Sequence, residues 1–141
     1  MNRTDLRQRA LNAADHCLKT KRHIALVDVF IEIGRLSRQD YDAWRHGRVP
    51  YLERVITLNL SQINEACRTV HANSRKGGLK ASWTAYVKRG KGSRPPLRFT
   101  KSGNAVLERQ WATHYLSPNL APSGNAPESD SPVQNTRASA P

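Results

Sequence analysis

The chain has 141 residues, which is enough for one domain with a modest core and too few for two comfortable ones. Its 23 Lys and Arg residues against 11 Asp and Glu give a formal net charge of +12, which favours nucleic acid, an anionic membrane surface or an acidic protein as a partner. The two cysteines, Cys17 and Cys67, are far apart and lack C-x-x-C spacing, so they indicate neither a disulfide framework nor a zinc ribbon and are expected to be buried and reduced.

The sequence carries no recognisable signal for export or membrane insertion. The N-terminus lacks an apolar run and contains Asp5 and Asp15, which transit peptides avoid. The longest apolar stretch, residues 24–33, is interrupted by Asp28 and Glu32 and is too short to span a bilayer. We therefore expect a cytoplasmic protein, associated with the nucleoid if it binds DNA, and no membrane partner.

The first part of the chain has the apolar spacing of helices. Residues 5–18 carry apolar side chains every three or four positions, which predicts a first helix. Residues 24–33 are rich in β-branched side chains but place their charged residues in one helical stripe, so we expect a second helix rather than a strand. Gly34 ends that helix. Ser37 then begins another, with Asp40 placed to complete a capping box.

The helix that starts at Ser37 is amphipathic. Tyr41 and Trp44 lie three positions apart on one face and are expected in the core. Gly47 and Pro50 mark the turn that follows. The apolar pattern after Pro50 is the strongest in the sequence and predicts one long helix, interrupted by a single polar residue and ending near residue 73.

The last third changes in character. Residues 83–88 and 97–100 are predicted as two strands joined by a Gly- and Pro-rich loop, which together form a β-hairpin with a mobile tip. Strand alternation predicts that Trp83 is buried and Tyr86 exposed. Residues 104–115 are predicted as a final helix.

These elements predict a mainly α domain with a small β-hairpin over residues 1–116. Residues 117–141 have five prolines and few large apolar side chains, so we expect a disordered Ser- and Pro-rich tail. Positive charge is concentrated in the domain, since no acidic residue lies between Glu65 and Glu108 while ten Lys and Arg residues do. Such a hairpin has the layout of a wing that lies along a phosphate backbone, and the alternative is an ordinary solvated basic surface.

The stretch from Ser37 to Leu52, with the helix before it, resembles the Cro and phage-repressor type of helix-turn-helix DNA-binding proteins. Matching positions of the two helices and the turn are occupied by Phe30, Ile31, Leu36, Tyr41, Trp44 and Gly47. This sequence departs from the family in four respects. Gly34 comes one residue early, Arg45 replaces the usual acid, Pro50 comes one residue early, and the basic hairpin is no part of the family.

The resemblance implies a helix-turn-helix in which Arg38, Gln39, Asp42 and Arg45 face the major groove, with Gln39 suited to adenine and Arg38 to guanine. The candidate nucleic-acid-binding residues, from this helix and from the basic hairpin, are Arg38, Gln39, Arg45, Arg48, Lys88, Arg89, Lys91, Arg94, Arg98 and Lys101. We expect sequence-directed binding of double-stranded DNA by a small transcriptional regulator or mobile-element accessory factor, and a homodimer by analogy.

Two other classes remain open on the sequence. One binds RNA or single-stranded DNA, with Tyr86 of the basic hairpin stacking on bases. The other is an interaction protein whose basic face meets an acidic partner. Catalysis is not expected, because the histidines and cysteines lack metal-ligand spacing and the carboxylates do not cluster as a nuclease requires. The Gly-Lys-Gly-Ser segment at residues 90–93 lacks full P-loop spacing, so it does not predict a phosphate-binding loop. With neither signal present, we expect no metal and no cofactor.

Overall fold

The computed structural model describes residues 1–118, and the predicted disordered tail lies outside them except for its first two residues. Helices and a small antiparallel sheet make up this part, which confirms the predicted mainly α class. The elements are α1 Arg3–Lys21, β1 His23–Ile24, α2 Leu26–Glu32, α3 Arg38–Arg45, a 3₁₀ helix Leu52–Val55, α4 Leu60–Lys76, β2 Lys80–Trp83, α5 Ala105–Ala112 and β3 Thr113–Leu116. Within residues 1–118, no helix combines the length and apolar character needed to cross a membrane.

The sheet joins segments that are distant in the sequence. Its strand order is β1-β3-β2, and both pairings are antiparallel. Tyr115 of the central strand pairs with Ile24 on one side and with Ala81 on the other. The predicted second helix therefore begins later than expected, because residues 23–24 extend to pair with β3 before α2 starts.

The core is built from helix packing and one aromatic cluster. The buried stripe of α1 includes three alanines, whose small side chains let it pack closely on α4. Beneath α2 and α3 lie rings from five elements or loops, namely Phe30, Trp44, Tyr86, Phe99 and Trp111.

Both cysteines are buried free thiols, as predicted. Burial raises the pKa of Cys17 to about 12, which makes that thiol unreactive at neutral pH.

The prediction of one long helix after Pro50 is wrong. The chain forms a 3₁₀ turn at residues 52–55, then extends and restarts as α4. Asn59, the polar residue in the apolar pattern, is the helix cap: its Oδ1 accepts from Gln62 N at 2.8 Å, and Gln62 Oε1 accepts from Asn59 N at 3.0 Å. Residues that are distant in the sequence stabilise this interruption, because Leu52 N donates to Arg98 O and Glu53 N donates to Phe99 O.

The predicted final helix and hairpin are also altered. Helix α5 ends at Ala112, and its last predicted turn is β3. Residues 86–98, here called the basic arm, form a narrow loop with a single bridge between Val87 and Pro96 instead of two full strands. Leu97 N donates to Tyr86 O at 2.8 Å and Lys88 N to Pro95 O at 3.0 Å. A longer ladder is blocked because two adjacent prolines have no N–H to donate.

Candidate nucleic-acid interface

Helix α3 begins where the sequence predicted. Ser37 Oγ accepts from Asp40 N at 3.0 Å, which satisfies one of the N–H groups that a helix start leaves without a partner. The preceding turn is closed by Arg35 N and Leu36 N, both of which donate to Phe30 O. Gly34 has a φ of +79°, a left-handed conformation that glycine adopts without strain. Two short helices are thus joined by a tight turn.

One face of α3 is buried and the other meets solvent. Tyr41 and Trp44 are 9% and 0% exposed, as expected for core residues. Arg38, Gln39 and Asp42 are exposed. Residues three and four positions apart on a helix lie on the same face, so these three side chains form one polar surface.

Arg45 does not belong to that surface, which corrects its assignment as a base-contacting residue. Its side chain is 1% exposed. Nη1 donates to Tyr41 Oη at 2.9 Å and Nη2 to Val87 O at 3.3 Å, while the guanidinium lies 5.3 Å from the centre of the Tyr86 ring. Arg45 therefore joins α3 to the start of the basic arm.

Both ends of the basic arm are attached to α3 and the turn after it. Arg89 N donates to Arg45 O at 2.8 Å, and Trp44 Nε1 donates to Arg98 O at 2.8 Å. Lys88 packs its aliphatic chain against Gly47, where an added Cβ would lie 3.1 Å from two Lys88 carbons. The arm is consequently held beside the C-terminal end of α3.

The basic side chains of the arm differ in their roles. Lys91 and Arg94 are exposed, and neither pairs with a carboxylate among residues 1–118. Arg89 lies with Nη1 3.8 Å from Asp42 Oδ1 on the exposed face of α3. Arg98 instead donates to the carbonyls of its own turn, from Nε to Thr100 O at 2.9 Å and from Nη2 to Lys101 O.

The remaining two candidate residues flank this surface. Arg48 is exposed in the turn after α3, where its N–H donates to Ala43 O. Lys101 is exposed, and its backbone N–H donates to Glu53 Oε1 at 3.1 Å. The structure thus joins Arg89 to the exposed face that carries Arg38 and Gln39, leaves the tip of the arm exposed, and gives Arg45 and Arg98 structural contacts.

The exposure predicted for two aromatic residues is reversed. Tyr86 is 9% exposed and packs on Trp44 and Phe99, whereas Trp83 is 46% exposed. Strand β2 ends at Trp83, so the strict alternation used for the prediction does not continue to Tyr86. Tyr86 is therefore not available in this conformation to stack on unpaired bases.

A histidine network behind the arm was not found from the sequence. His114 Nε2 lies 2.8 Å from Tyr86 Oη, its Nδ1 lies 3.3 Å from Thr84 Oγ1, and its ring stacks on His23 with centroids 5.2 Å apart. Burial first, and then the charge of His23, lowers the pKa of His114 from 6.5 to about 3. The partners come from β1, β3 and the chain after β2, and no short spacing in the sequence connects them.

This network predicts that the protein loses stability as the pH falls. The unfolded state protonates His114 near pH 6.5 and the folded state only near pH 3, so the unfolded state binds more protons between those values. We expect the free energy of unfolding to fall by up to about 1.4 kcal/mol per pH unit from this group. Urea denaturation across that window measures the slope.

The control for this prediction is a matched pair of variants. His114→Gln should flatten the pH dependence, while His46→Gln, whose Nδ1 contacts the Asp42 carbonyl and whose ring pairs with no carboxylate of residues 1–118, should leave it unchanged. His71, whose pKa is also lowered by burial first and by Arg75 second, adds a slope of the same sign that both variants retain. An unaltered slope in His114→Gln would contradict the assignment.

Comparisons of the chain with protein-family models, with curated proteins and with solved structures found no match. Among residues 1–118, no group of three or more His, Cys, Asp or Glu side chains is arranged to hold a metal ion. The surface formed by α3 and the basic arm is the candidate functional site.

Proposed function

We propose that the protein binds double-stranded DNA, with the exposed face of α3 in the major groove and the basic arm along the phosphate backbone. The observation that carries this proposal is the contact of Arg89 Nη1 with Asp42 Oδ1 at 3.8 Å, which joins the arm to the exposed face of α3. The class of protein that we propose is a small transcriptional regulator or an accessory factor of a mobile element.

The same contact bears on the acidic residue of the helix. A carboxylate on a DNA-reading face is repelled by phosphate, and Asp42 is exposed on that face, one turn after Arg38 and Gln39. Arg89 lies beside it and offsets its charge. The face therefore presents Arg38 and Gln39 to an approaching duplex without a net negative field between them and the arm.

The charge of the arm supports a backbone-contacting role. Lys91 and Arg94 are exposed at its tip, and Gly90 and Gly92 both have positive φ, at +110° and +83°. No carboxylate of residues 1–118 pairs with either basic side chain, so their charge is available to phosphates. Phosphate contacts of this kind supply affinity and orientation without reading sequence.

The first test neutralises the arm. Arg94→Gln should weaken binding to every duplex, specific or not, and reduce the slope of log affinity against log salt concentration by about 1, because one phosphate contact is lost. Fluorescence anisotropy at several salt concentrations measures both quantities. Arg9→Gln, which removes the same charge from an exposed position of α1, is the matched control and should leave the slope unchanged.

The second test concerns sequence choice. Gln39→Ala should reduce discrimination between preferred and random duplexes by about 1–3 kcal/mol while leaving non-specific affinity intact, since an amide that pairs with adenine is removed. Preferred sequences are first selected from a random duplex pool with the unmodified protein. Gln8→Ala, at an exposed position of α1, serves as the control.

The same titrations distinguish the competing functions. Tighter binding of single strands or structured RNA than of duplex would replace the duplex proposal by the single-strand one. Absence of binding to any nucleic acid at low salt would refute both and leave an acidic protein partner as the function to pursue.

A further inference from the structure

A second basic site lies away from the arm. A cleft of about 280 Å³ is formed by α4, α5 and the β2–β3 side of the sheet. Its lining includes His71 and Arg75 of α4, Val106 and Arg109 of α5, and Tyr115 of β3. Two guanidinium groups thus border a concave surface that has no carboxylate in its lining.

The charges of this cleft are not compensated. Arg75 and Arg109 are exposed, and neither takes part in an ion pair with another described residue. Arg68, two turns earlier on α4, shows the contrast, since its Nη2 lies 3.0 Å from Glu65 Oε1. An uncompensated pair of arginines in a cleft raises the local concentration of anions.

A tyrosine hydroxyl is held at the same place. Tyr115 Oη lies 2.7 Å from His71 Nδ1 and 3.5 Å from Arg75 Nη1. Tyr115 is 3% exposed and His71 4% exposed, so the hydroxyl group is positioned by buried rings. Its neighbours fix the oxygen, which accepts from Arg75 Nη1 and so holds that guanidinium at the cleft.

The imidazole completes this arrangement. Burial first, and the charge of Arg75 second, lowers the pKa of His71, which keeps it neutral at neutral pH with one N–H. The Gln110 carbonyl acts in the opposite direction on the pKa of His71, as a carbonyl that faces an N–H does, so the N–H lies on Nε2. Nδ1 then accepts from the hydroxyl of Tyr115 at 2.7 Å.

We propose that this cleft binds a phosphate group through Arg75 and Arg109, with the hydroxyl of Tyr115 positioning Arg75. Guanidinium groups bind phosphate oxygens through paired, charge-assisted hydrogen bonds. The volume lies just below the range for ligand pockets, about 300–1,000 Å³, which suits a phosphate group with the remainder of its ligand at the rim. Val106, which is 65% exposed, provides apolar surface in the lining.

The cleft and the arm lie on different sides of the sheet. His114 contacts Tyr86 behind the arm, while the next residue of β3, Tyr115, contacts the cleft. Successive side chains of a strand point to opposite faces, so one phosphate cannot occupy both surfaces. The proposal for the cleft stands independently of duplex binding by α3 and the arm.

The test is a calorimetric titration of the full chain with inorganic phosphate. Arg75→Gln and Arg109→Gln should each raise the Kd about tenfold, as expected for loss of a charge-assisted hydrogen bond. Lys76→Gln is the matched control, because Lys76 is exposed beside Arg75 at the end of α4 and does not line the cleft; its Kd should change less than about twofold. Equal weakening in all three variants, or no phosphate binding by the unmodified protein, would overturn the proposal.

A second set of titrations distinguishes the source of the phosphate. A free monoester is indicated if AMP binds more tightly than inorganic phosphate and a 5′-phosphorylated strand binds no better than its unphosphorylated form. The end of a strand is indicated if the 5′-phosphate strengthens binding of the strand and Arg109→Gln abolishes that gain. Adenosine binding as tightly as AMP would refute a phosphate site. Duplex affinity should be unaffected by Arg109→Gln, and phosphate affinity by Arg94→Gln, so the two proposals can fail separately.

Discussion

Trp44→Ala is expected to lower the free energy of unfolding by about 3–5 kcal/mol, which is a large part of the stability of a domain of this size. Trp44 is fully buried, and its ring lies 5.1 Å from Phe99 and 5.7 Å from Tyr86, measured between ring centres. The substitution leaves a cavity where α3 meets the arm. It also removes one of the two donors to Arg98 O, which keeps its hydrogen bond from Leu52 N at 3.1 Å, at an additional cost of about 0.5–1.5 kcal/mol.

Urea denaturation followed by far-UV circular dichroism measures this loss without depending on tryptophan fluorescence. Trp44→Phe should recover most of the packing but not the hydrogen bond. Its free energy of unfolding should therefore lie between those of the unmodified protein and Trp44→Ala. Trp83→Ala is the matched control, because that ring is 46% exposed, and it should cost less than about 1 kcal/mol. Similar losses at positions 44 and 83 would contradict the central role of Trp44.

Glu108→Ala is expected to cost about 2–4 kcal/mol through lost hydrogen bonds. Its carboxylate accepts from Phe99 N at 3.0 Å, from Thr100 N at 2.8 Å and from Thr100 Oγ1 at 2.7 Å. Thr100 is 1% exposed, so its polar groups lose their partner in a place that water does not reach. The segment that follows the arm would then no longer be attached to α5.

Thermal unfolding monitored by circular dichroism measures this effect. Glu108→Gln should be milder, because the amide retains one accepting oxygen but cannot accept at both positions. Glu32→Ala is the control, since Glu32 is exposed and its carboxylate forms an ion pair only with His16 among the described residues. Equal unfolding temperatures for the position 108 and position 32 alanine variants would refute the anchoring role.

These two side chains together explain how a basic loop is held in place. Trp44 binds the carbonyl of Arg98, and Glu108 binds the amides of the next two residues. The arm is therefore positioned by Trp44, by the buried guanidinium of Arg45 and by the Glu108 carboxylate, and the positive charge at its tip is left for a partner. A variant that loosens this anchor without unfolding the domain is expected to weaken duplex binding by allowing the arm to leave the side of α3.

Much of the fold was predictable where the signal is local. The start of α3 follows from Ser37 and the N–H groups it can satisfy, and the burial of Tyr41 and Trp44 follows from their spacing on one face. Asn59 shows the limit of this reasoning, because a polar residue inside an apolar pattern is either tolerated or caps a new helix. The turn before Asn59 donates to the carbonyls of Arg98 and Phe99, which lie more than forty positions later in the sequence. A prediction from neighbouring residues therefore cannot include these hydrogen bonds.

The candidate site was predictable only in part. The concentration of Lys and Arg between Glu65 and Glu108 identified the arm, since charge needs no knowledge of packing. The buried contact of Arg45 with the arm could not be predicted. The spacing of apolar residues shows which side chains share a helix face, but not which other segment packs on that face.

By itself, then, the sequence determined the charge, the helical content, the start of α3 and the aromatic anchors, which all depend on interactions within a few residues. Only the tertiary structure decided the pairing of β3 with two distant strands, the burial of Tyr86 in place of Trp83, and the convergence of Arg75, Arg109 and Tyr115 on one cleft. Each of these is a contact between segments far apart in the chain. Their geometry depends on how the whole core packs, and no short stretch of sequence contains that information.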